Sequence, residues 1–292
     1  MKKLTILTPT FNRSKELKKL YKSLLNQTSK DFLWLIIDDG SIDDTEKVVR
    51  GFKEISIEYI KKQNGGKHTA LNTGFKNLKS ELVIIVDSDD YLVETAVELI
   101  LSKWEKYYNN KKLCGMVFKK KLADESGVSD NFREDEFIDN YNKYVINNHI
   151  KGDKAEVFKS SLIKKYSYPE FENEKFVGEG VLWSKISRKY DMLFVNQYIY
   201  ICDYLDGGLT KSGRKMRINN PKGGMFHAEE YLDKIYDFKT RIKNALLYLT
   251  YARFDKNNII KTIIESNYKG ILIINIIPSF FLFHYWNFKY KK

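Results

Sequence analysis

Residues 82–91 read LVIIVDSDDY: five apolar residues, Leu82–Val86, run into three carboxylates within four positions. The apolar run predicts a strand buried in the core. Such a strand can end in Asp87, Asp89 and Asp90, here called the acidic cluster, only if a positive charge offsets their desolvation. A divalent cation would supply that charge, since hard cations take oxygen ligands and also bind phosphate oxygens. The alternative is that Asp87 or Asp89 caps the next helix, and this stretch alone leaves both open.

Upstream of the acidic cluster, strand patterns and helix patterns alternate. Strands are predicted at Lys3–Thr8, Phe32–Ile37, Ile55–Ile60 and Leu82–Val86, and helices at about Ser14–Gln27, Asp43–Phe52 and Gln63–Asn77. This alternation with short loops predicts a parallel sheet with helices on both faces. Because ligands bind such sheets at the carboxyl ends of the strands, we expect the polar loops after each strand to form one site with the acidic cluster.

The predicted loops at this edge differ in chemistry. Gly65 and Gly66 allow close backbone approach, and the helix start at Lys67 suits an anion such as a diphosphate, although the same glycine pair is common in ordinary turns. Asp39 is suited to accept hydrogen bonds from a base or a ribose, but DDGS is also a usual turn sequence. The chain contains neither GxxxxGK[ST] nor GxGxxG, which argues against a P-loop ATPase or a dinucleotide-binding dehydrogenase.

Positive charge is concentrated in the last third of the chain. The net charge is +12, and residues 209–292 hold 16 Lys and Arg against 6 Asp and Glu. An anionic partner such as a membrane surface is therefore expected there.

The cysteines and the N-terminus indicate the compartment. Cys114 and Cys202 stand apart in apolar surroundings, which predicts buried thiols in a reducing environment. The first residues, MKKLTILTP, have too short an apolar part for a signal peptide and instead indicate a first strand. We therefore expect a cytoplasmic protein.

Five sequence segments together resemble family 2 of the nucleotide-sugar glycosyltransferases, the inverting enzymes of the GT-A fold. They are TILTPTFNR (5–13), LLNQT (24–28), LIIDDGSIDDT (35–45), NGGKHTALNTG (64–74) and VDSDD (86–90). The resemblance implies an α/β fold of the GT-A (Rossmann-like) type, a mixed, mostly parallel sheet flanked by helices. We expect this catalytic domain to span residues 1–218, and a helical, basic and aromatic appendage to span residues 219–292.

The resemblance also implies a nucleotide-diphosphate-sugar donor, usually UDP-linked, and a Mn²⁺ or Mg²⁺ ion. By matching position, the implied donor-binding residues are Pro9, Phe11 and Asp39 at the nucleoside, Asn64 and Lys67 near the base or diphosphate, Asp87 at the ribose or sugar, and Ser88 and Asp89 beside it, with Asp89 holding the metal. On this interpretation the metal offsets the charge of the acidic cluster and activates the leaving group.

Inverting transfer requires a base that removes the proton of the acceptor hydroxyl. The family places a carboxylate at the start of a helix downstream of the acidic motif, and the matching segment here is PEFENEKFVGEGVLWSKIS (169–187). Glu179 occupies that place, although Gly180 stands where many relatives carry a second acid. Its alternative role is a first-turn glutamate favoured by the helix dipole, and Glu172 and Glu174 are the other candidate bases.

The C-terminal third contains two further segments of interest. Residues 204–217 (YLDGGLTKSGRKMR) resemble the family's flexible segment over the donor, with Gly207, Gly208 and Gly213 for mobility and Lys211, Arg214 and Arg217 for the diphosphate.

The apolar stretch ILIINIIPSFFLFHYW (271–286) is shorter than the ~20 residues of a spanning helix, and Pro278 is expected to kink it. Aromatic residues beside terminal lysines favour a contact of residues 270–292 with an anionic membrane surface; packing on the domain or against another subunit of a homo-oligomer is the alternative.

The sequence therefore predicts a metal-dependent inverting glycosyltransferase, peripheral on the inner face of the cell membrane, that acts on a surface polysaccharide or lipid-linked glycan. A sugar nucleotidyltransferase is the enzymatic alternative, but the N-terminal PTFNR lacks its glycine-rich loop. A basic nucleic-acid-binding protein is the non-enzymatic alternative. We expect no nucleic acid as a partner, because the positive charge accompanies apolar aromatic residues rather than a recognition surface.

Overall fold

The computed structural model describes residues 2–202 and 209–290 and, within them, every side chain except those of residues 209–212. The strands are β1 (Leu4–Thr10), β2 (Phe32–Asp38), β3 (Ile57–Lys61), β4 (Leu82–Ile85), β5 (Tyr91–Leu92), β6 (Leu113–Leu122), β7 (Glu136–Asp139), β8 (Lys154–Lys159) and β9 (Asp191–Cys202). The helices are α1 (Glu16–Leu25), α2 (Thr45–Gly51), α3 (Lys67–Asn77), α4 (Ala96–Glu105), α5 (Ser160–Ile163), α6 (Gly180–Ser187), α7 (Leu209–Ile218), α8 (Pro221–Glu230), α9 (Phe238–Phe254), α10 (Ile259–Glu265), α11 (Lys269–Ile274) and α12 (Ile276–Tyr290). A π-helical segment spans Asn142–Asn147.

The chain divides into two compact units. The first comprises Met1–Tyr141, Ile150–Tyr168 and Ile186–Leu205, and the second comprises Asn142–His149, Pro169–Lys185 and Asp206–Lys292. Each unit is described separately below. The domain boundary expected after residue 218 stays a prediction.

The nine strands of the described residues lie in one sheet of the first unit, in the order β3-β2-β1-β4-β8-β6-β9-β5, with β7 paired to β9. β1 runs parallel to β2 and β4, and β2 runs parallel to β3. β8 lies antiparallel between β4 and β6, and β9 runs parallel to β6 but antiparallel to β5 and β7. The predicted mixed α/β sheet is confirmed, and β1–β4 form its parallel half.

Alternating side chains of the parallel strands bury both faces of the sheet. On one face, Leu4 of β1 belongs to an apolar cluster with Leu17 of α1 and Ile100 of α4, all three fully buried. On the other face, Leu7 of β1 packs so closely under α3 that a Cβ added to Gly74 would lie 2.5 Å from it. Helices thus cover both faces, which leaves the carboxyl edge of the strands to polar loops.

The second unit is helical in its C-terminal part. Leu232 and Leu249 are fully buried in a cluster that joins α8, α9, α10 and α11. Trp286 of α12 packs with Tyr251 and Phe254 of α9 in another cluster. Asp237 caps α9 by accepting hydrogen bonds from the N–H groups of Lys239 and Thr240. The predicted helical C-terminal appendage is therefore confirmed.

The apolar tail is divided at Asn275 rather than bent at Pro278. α11 ends at Ile274 and α12 begins at Ile276. Pro278 falls in the first turn of α12, where its missing N–H is tolerated, and the interruption expected at Pro278 is found at Asn275. Across the described residues, neither α12 nor another helix combines the length and the apolar character needed to cross a bilayer.

Three further segments contain strands or a helix. Residues 124–148, a polar and charged segment, contain β7, which pairs with the first half of β9. Residues 191–202 form one long strand, because β9 continues along β6 through register shifts. Leu209–Ile218 is a helix and contains Gly213, so this part of the predicted flexible segment is not a loop. Gly207 and Gly208 lie outside the described residues.

Candidate active site

The acidic cluster forms a tight turn directly after β4. The N–H of Val86 still bonds to the carbonyl of Leu7 on β1, at 2.9 Å, and the N–H of Asp90 then turns back to the carbonyl of Asp87, at 3.1 Å. This turn gathers one carboxylate oxygen each from Asp87, Asp89 and Asp90 within 4.8 Å of one another. Ser88, inside the turn, is buried. Neither Asp87 nor Asp89 caps α4, whose N-cap residue is Thr95.

Asp87 is balanced by two lysines. The ammonium of Lys67, the first residue of α3, lies 2.6 Å from Asp87 Oδ1. Burial alone would raise the pKa of Asp87, but the charges of Lys67 and Lys120 outweigh it and hold that pKa below its ordinary value. Lys120 is a partly buried lysine near the end of β6, and its pKa remains above its ordinary value because the charges of Asp87 and other acids outweigh the effect of desolvation. Asp87 is therefore ionised and partnered.

Asp89 is in the opposite situation. Burial and then the negative charge of Asp87 raise the pKa of Asp89 above its ordinary value. The guanidinium of Arg13 lies nearby, with its Nη2 3.9 Å from Asp89 Oδ2. A partly buried carboxylate beside an ionised acid is the setting that a divalent cation relieves, because the cation favours the charged form of both. The acidic cluster thus fits a Mn²⁺ or Mg²⁺ ion.

Asp90 is held by a tyrosine on β9. The hydroxyl of Tyr200 donates to Asp90 Oδ2 at 2.8 Å and accepts the N–H of Asp87 at 3.0 Å. Tyr200 is 1% exposed, and Lys120 Nζ lies 3.8 Å from the centre of its ring. The floor of the acidic turn is therefore a buried tyrosine rather than solvent.

Asp39 closes the loop before α3. Its Oδ1 accepts hydrogen bonds from Lys62 Nζ (2.8 Å) and Gly65 N (3.0 Å), and its Oδ2 accepts from Asn64 Nδ2 (3.1 Å) and Gly66 N (2.7 Å). These four donors use most of the acceptor capacity of one carboxylate. In this structure Asp39 organises the QNGGK loop (residues 63–67). A nucleobase that binds Asp39 would therefore have to displace one of these donors.

The β1 and β2 ends are joined by a second set of polar contacts. Asn12, with a φ of 52°, donates its N–H to Ser41 Oγ (2.8 Å) and accepts the N–H of Ile42 at Oδ1 (2.9 Å). Phe11, just beyond β1, is 45% exposed, whereas Pro9 is a buried residue of β1. The structure therefore presents an exposed aromatic ring at the end of the first strand.

The eight residues predicted to bind the donor all belong to the first unit, on the loops and strand ends between β1 and β5: Pro9, Phe11, Asp39, Asn64, Lys67, Asp87, Ser88 and Asp89. Contacts join Lys67 to Asp87, and join Asn64 to Asp39. The parallel half of the sheet thus brings together side chains from separate loops, such as Lys67 and Asp87.

Glu179, the predicted base, lies in the second unit at the start of α6. Its carbonyl accepts the N–H of Leu182 at 3.1 Å, the first bond of that helix. The glycines on either side are fitted against α8 and the residue that follows it. A Cβ on Gly178 would lie 2.8 Å from His227 Nδ1, and the carbonyl of Gly180 accepts the hydroxyl of Tyr231 at 3.4 Å.

The alternative bases have different surroundings. Glu174 accepts the N–H groups of Lys222 and Gly223, at 2.9 and 2.8 Å, and so caps the N-terminus of α8. A carboxylate used in this way is a structural cap. Glu172 is exposed on a turn. Of the three acids, Glu179 is the one that directly precedes a helix, α6.

The basic residues expected to reach the diphosphate have aromatic contacts in the second unit. The guanidinium of Arg214 lies 4.4 Å from the ring centre of Trp286, and that of Arg217 lies 5.9 Å from the ring centre of Phe176. The side chain of Lys211 lies outside the described residues. A diphosphate-binding role for these three residues stays a prediction.

Arg13, Lys120 and Tyr200 adjoin the acidic cluster but were not singled out from the sequence. Arg13 ends the TILTPTFNR segment, which indicated a strand end at the site. The signal for Lys120 was a run of three lysines, Lys119–Lys121, at the end of an apolar strand. Tyr200 offered no local signal, because one tyrosine in YIYIC does not differ from another until the strand pairing is known.

Comparison with known proteins identifies the family. The family model described as glycosyl transferase family 2 matches residues 5–166, more than half of the chain. The poly(ribitol-phosphate) β-N-acetylglucosaminyltransferase TarP of Staphylococcus aureus (strain N315) is 29% identical over 255 residues, which cover 81% of this chain and 72% of TarP. The chain spans less than two thirds of the length of other curated relatives, and in one case 15%.

Solved structures share the fold. The crystal structure of S. aureus TarS 1-349 in complex with UDP-GlcNAc has a TM-score of 0.65 at 18% identity, covering 95% of this chain and 80% of that one. The mannosyltransferase PcManGT from Pyrobaculum calidifontis, in complex with GDP-Man and Mn²⁺, has a TM-score of 0.55 at 15% identity, covering 97% and 82%. The mixed sheet flanked by helices is the GT-A fold of these enzymes.

Proposed function

The chain belongs to glycosyl transferase family 2, and from this premise we propose that it is a metal-dependent inverting glycosyltransferase that uses a nucleotide-diphosphate sugar, preferably UDP-linked. One observation carries the proposal: the acidic cluster and Lys67 meet at the carboxyl edge of the parallel strands, with an ion pair of 2.6 Å between Lys67 and Asp87. Cation-binding oxygens beside a lysine on a glycine loop form the combination that a metal-bound diphosphate requires.

The donor is proposed to lie over the ends of β1, β2 and β4. Asp89 would hold the metal, with Asp87 beside it at the ribose or sugar. A bound Mn²⁺ or Mg²⁺ would act as a Lewis acid that offsets the charge of the departing diphosphate. Lys67 faces the same charge from the first turn of α3, where the helix dipole also favours an anion. The complexes of TarS with UDP-GlcNAc and of PcManGT with GDP-Man and Mn²⁺ support this donor class.

The nucleoside is proposed to contact the β1 and β2 ends. The exposed ring of Phe11 offers a surface for a base, Pro9 shapes the strand beneath it, and Asn64 and Asp39 supply polar groups. Because Asp39 also holds the QNGGK loop, its contribution includes fixing Gly65 and Gly66 next to Lys67. Ser88 is proposed to support the donor from within the acidic turn.

Glu179 is proposed as the base. Its carboxylate would take the proton of the acceptor hydroxyl while that oxygen attacks the anomeric carbon. The bond from the anomeric carbon to the diphosphate breaks in the same step, and its electron pair leaves with the nucleotide diphosphate. Attack from the face opposite the leaving group inverts the configuration. The fit of Gly178 and Gly180 against His227 and Tyr231 supports a fixed position for Glu179 within the second unit.

The acceptor is proposed to be a hydroxyl of a surface polysaccharide or a lipid-linked glycan at the inner face of the cell membrane. The name of TarP, which describes transfer to poly(ribitol-phosphate), supports a polymeric acceptor.

Peripheral membrane contact is supported by α12, which exposes one continuous apolar stripe: Ile277 (69%), Phe280 (47%), Phe281 (66%), Tyr285 (55%) and Phe288 (65%). With the basic excess of residues 209–292, this stripe suits an anionic lipid surface.

Donor turnover tests the proposed reaction. Purified protein is incubated with UDP-sugars, Mn²⁺ and a hydroxyl acceptor or water, and the released nucleotide is identified. A glycosyltransferase releases UDP from the sugar nucleotide. A sugar nucleotidyltransferase, the rival enzyme, instead uses added pyrophosphate to cleave the diphosphate bond of the UDP-sugar, forming UTP and a sugar 1-phosphate. Pyrophosphate-dependent UTP formation without sugar transfer would contradict the proposal.

Sedimentation with lipid vesicles tests the membrane contact. Wild-type protein is compared with a Phe281→Ser/Phe288→Ser variant on vesicles with and without anionic lipid. Binding only to anionic vesicles, reduced in the variant, is expected. If both proteins remain in the supernatant and wild type alone is a dimer by analytical ultracentrifugation, the stripe is a subunit interface and the lipid proposal fails.

A further inference from the structure

Tyr200 connects the two ends of the acidic turn through a single oxygen atom. Its hydroxyl accepts the N–H of Asp87, which begins the turn, and donates to the carboxylate of Asp90, which ends it. The chain between them carries Ser88 and Asp89. The position of Tyr200 is itself determined by the sheet, since Tyr200 pairs with Lys120 of β6 on one side and Leu92 of β5 on the other.

The hydroxyl acts as a donor and an acceptor at the same time. Burial, followed by the charges of Asp87 and Asp90, raises the pKa of Tyr200 well above its ordinary value. The phenol therefore keeps its proton and can donate to Asp90 while its lone pair accepts from Asp87. Lys120, 3.8 Å above the ring, places a positive charge on the other side of the phenol and offsets part of the acidic charge of the turn.

These contacts distinguish Asp90 from its neighbours. Asp90 is 9% exposed and one of its oxygens is bonded to Tyr200, whereas Asp89 is more open, with its side chain 22% exposed. The third acid of the cluster is thus used to anchor the turn, and Asp87 and Asp89 remain to face the donor.

We propose that Tyr200 is a positioning residue: by holding Asp87 and Asp90 together, its hydroxyl sets the separation of the Asp87 and Asp89 carboxylates that receive the metal and diphosphate. The effect on metal binding rests on the proposed function, whereas the two hydrogen bonds of Tyr200 with Asp87 and Asp90 do not. Groups that orient metal ligands in this way typically contribute about 10–100-fold to metal affinity.

Tyr200→Phe removes the hydroxyl and leaves the ring under Lys120. Tyr198→Phe is a matched control, because Tyr198 lies on the same strand and also has a lysine over its ring, Lys119 at 4.0 Å. Two measurements are made on both variants: hydrogen exchange of the amides of residues 86–92 in the free protein, and Mn²⁺ affinity in the presence of UDP by electron paramagnetic resonance. Thermal unfolding confirms that both variants are folded.

For Tyr200→Phe we expect the amides of Asp87 and Asp90 to exchange at least about tenfold faster, because their opening is no longer opposed by the shared hydroxyl. The Mn²⁺ affinity should fall about tenfold or more, and adding Asp90→Asn to Tyr200→Phe should change it little further, because Asp90 has already lost the hydroxyl from which it accepted. Tyr198→Phe should match wild type in both measurements.

Failure of the positioning role of Tyr200 can be told apart from failure of the proposed function. Unchanged exchange of residues 86–92 in a folded Tyr200→Phe variant would overturn the positioning role, whatever the metal does. If the exchange increases but wild type itself shows no Mn²⁺ binding with UDP, the role of Tyr200 in holding the acidic turn is supported and the metal part of the proposed function fails. A far greater loss of Mn²⁺ affinity in Asp90→Asn than in Tyr200→Phe would make Asp90 a ligand and contradict its role as an anchor.

Discussion

The ammonium of Lys67 lies 2.6 Å from Asp87 Oδ1, so the first residue of α3 neutralises the first acid after β4. This contact connects the glycine loop to the acidic turn, and it places a cation at the point where a diphosphate would arrive. Replacing Lys67 by Met should weaken UDP-sugar binding about tenfold or more, since a charge-assisted contact is removed from a partly buried site. Isothermal titration with UDP and Mn²⁺ measures this change.

Lys79→Met is the control for that variant. Lys79 also forms an ion pair, with Glu58 at 2.7 Å, but its side chain is 61% exposed and it lies before the amino end of β4, not after its carboxyl end. Exposed pairs contribute little, so its donor affinity should equal that of wild type. Equal affinities in Lys67→Met and Lys79→Met would remove Lys67 from the donor site.

Asp89→Ala should abolish the dependence of activity on Mn²⁺. Its carboxylate is the member of the acidic cluster whose pKa is raised by burial and by Asp87, so a bound cation would stabilise its charged form. The variant should remain folded, because removing the carboxylate also removes its repulsion with Asp87. Asp124→Ala, on an exposed turn, is the control. Wild-type Mn²⁺ affinity in Asp89→Ala would transfer the metal site to other residues.

Glu179→Gln should retain donor binding and lose at least about 100-fold in kcat, the usual contribution of a general base. Glutamine keeps the shape of the side chain and its place before α6, but it does not accept a proton. Glu172→Gln, on an exposed turn, should behave as wild type. If Glu179→Gln keeps most of the wild-type kcat and Glu172→Gln also has a wild-type kcat, neither glutamate is the base.

Gly223→Ala should destabilise the protein by about 2 kcal/mol, a usual cost of a steric insertion into a packed site. An added Cβ would lie 2.2 Å from the carbonyl oxygen of Phe176, near the segment that leads to Glu179. Gly213→Ala in α7 meets nothing within 4 Å and should stabilise the protein by about 0.5–1 kcal/mol, because alanine is the better helix former. Chemical denaturation compares the two; equal stabilities would contradict the packing of α8 against Phe176.

Acidification should lower the stability of the protein, because His227 is protonated more readily in the unfolded chain. Burial, and then the charges of Arg217 and Lys243, lower the pKa of His227 from 6.5 to about 4. Below pH 6.5 the unfolded chain therefore binds a proton that the folded chain excludes until about pH 4. Across this window the free energy of unfolding should fall by up to about 3 kcal/mol. His227→Phe should lose this part of the pH dependence, and denaturation curves that fall in parallel for both proteins would contradict it.

Local patterns were sufficient for the strands and helices of the first half of the chain. β1, β2, β3 and β4 lie within a few residues of their predicted positions, because each is an apolar run ending in a polar turn. Patterns were insufficient for β5 and β7, which have two and four residues. Such short strands exist because β9 offers them an edge, and no local periodicity records the presence of a partner strand.

The sequence by itself determined the family, the parallel strands and the polar loops at their carboxyl ends, because these depend on residue types that are adjacent in the chain. It also placed Asp87 and Asp89 at a strand end. Only the tertiary structure decided how the carboxylates are shared: Asp87 with Lys67, Asp90 with Tyr200, and Asp39 with the QNGGK loop. These pairings are set by strand order and by burial, which decide the partners and pKa of an acid and are properties of the folded chain.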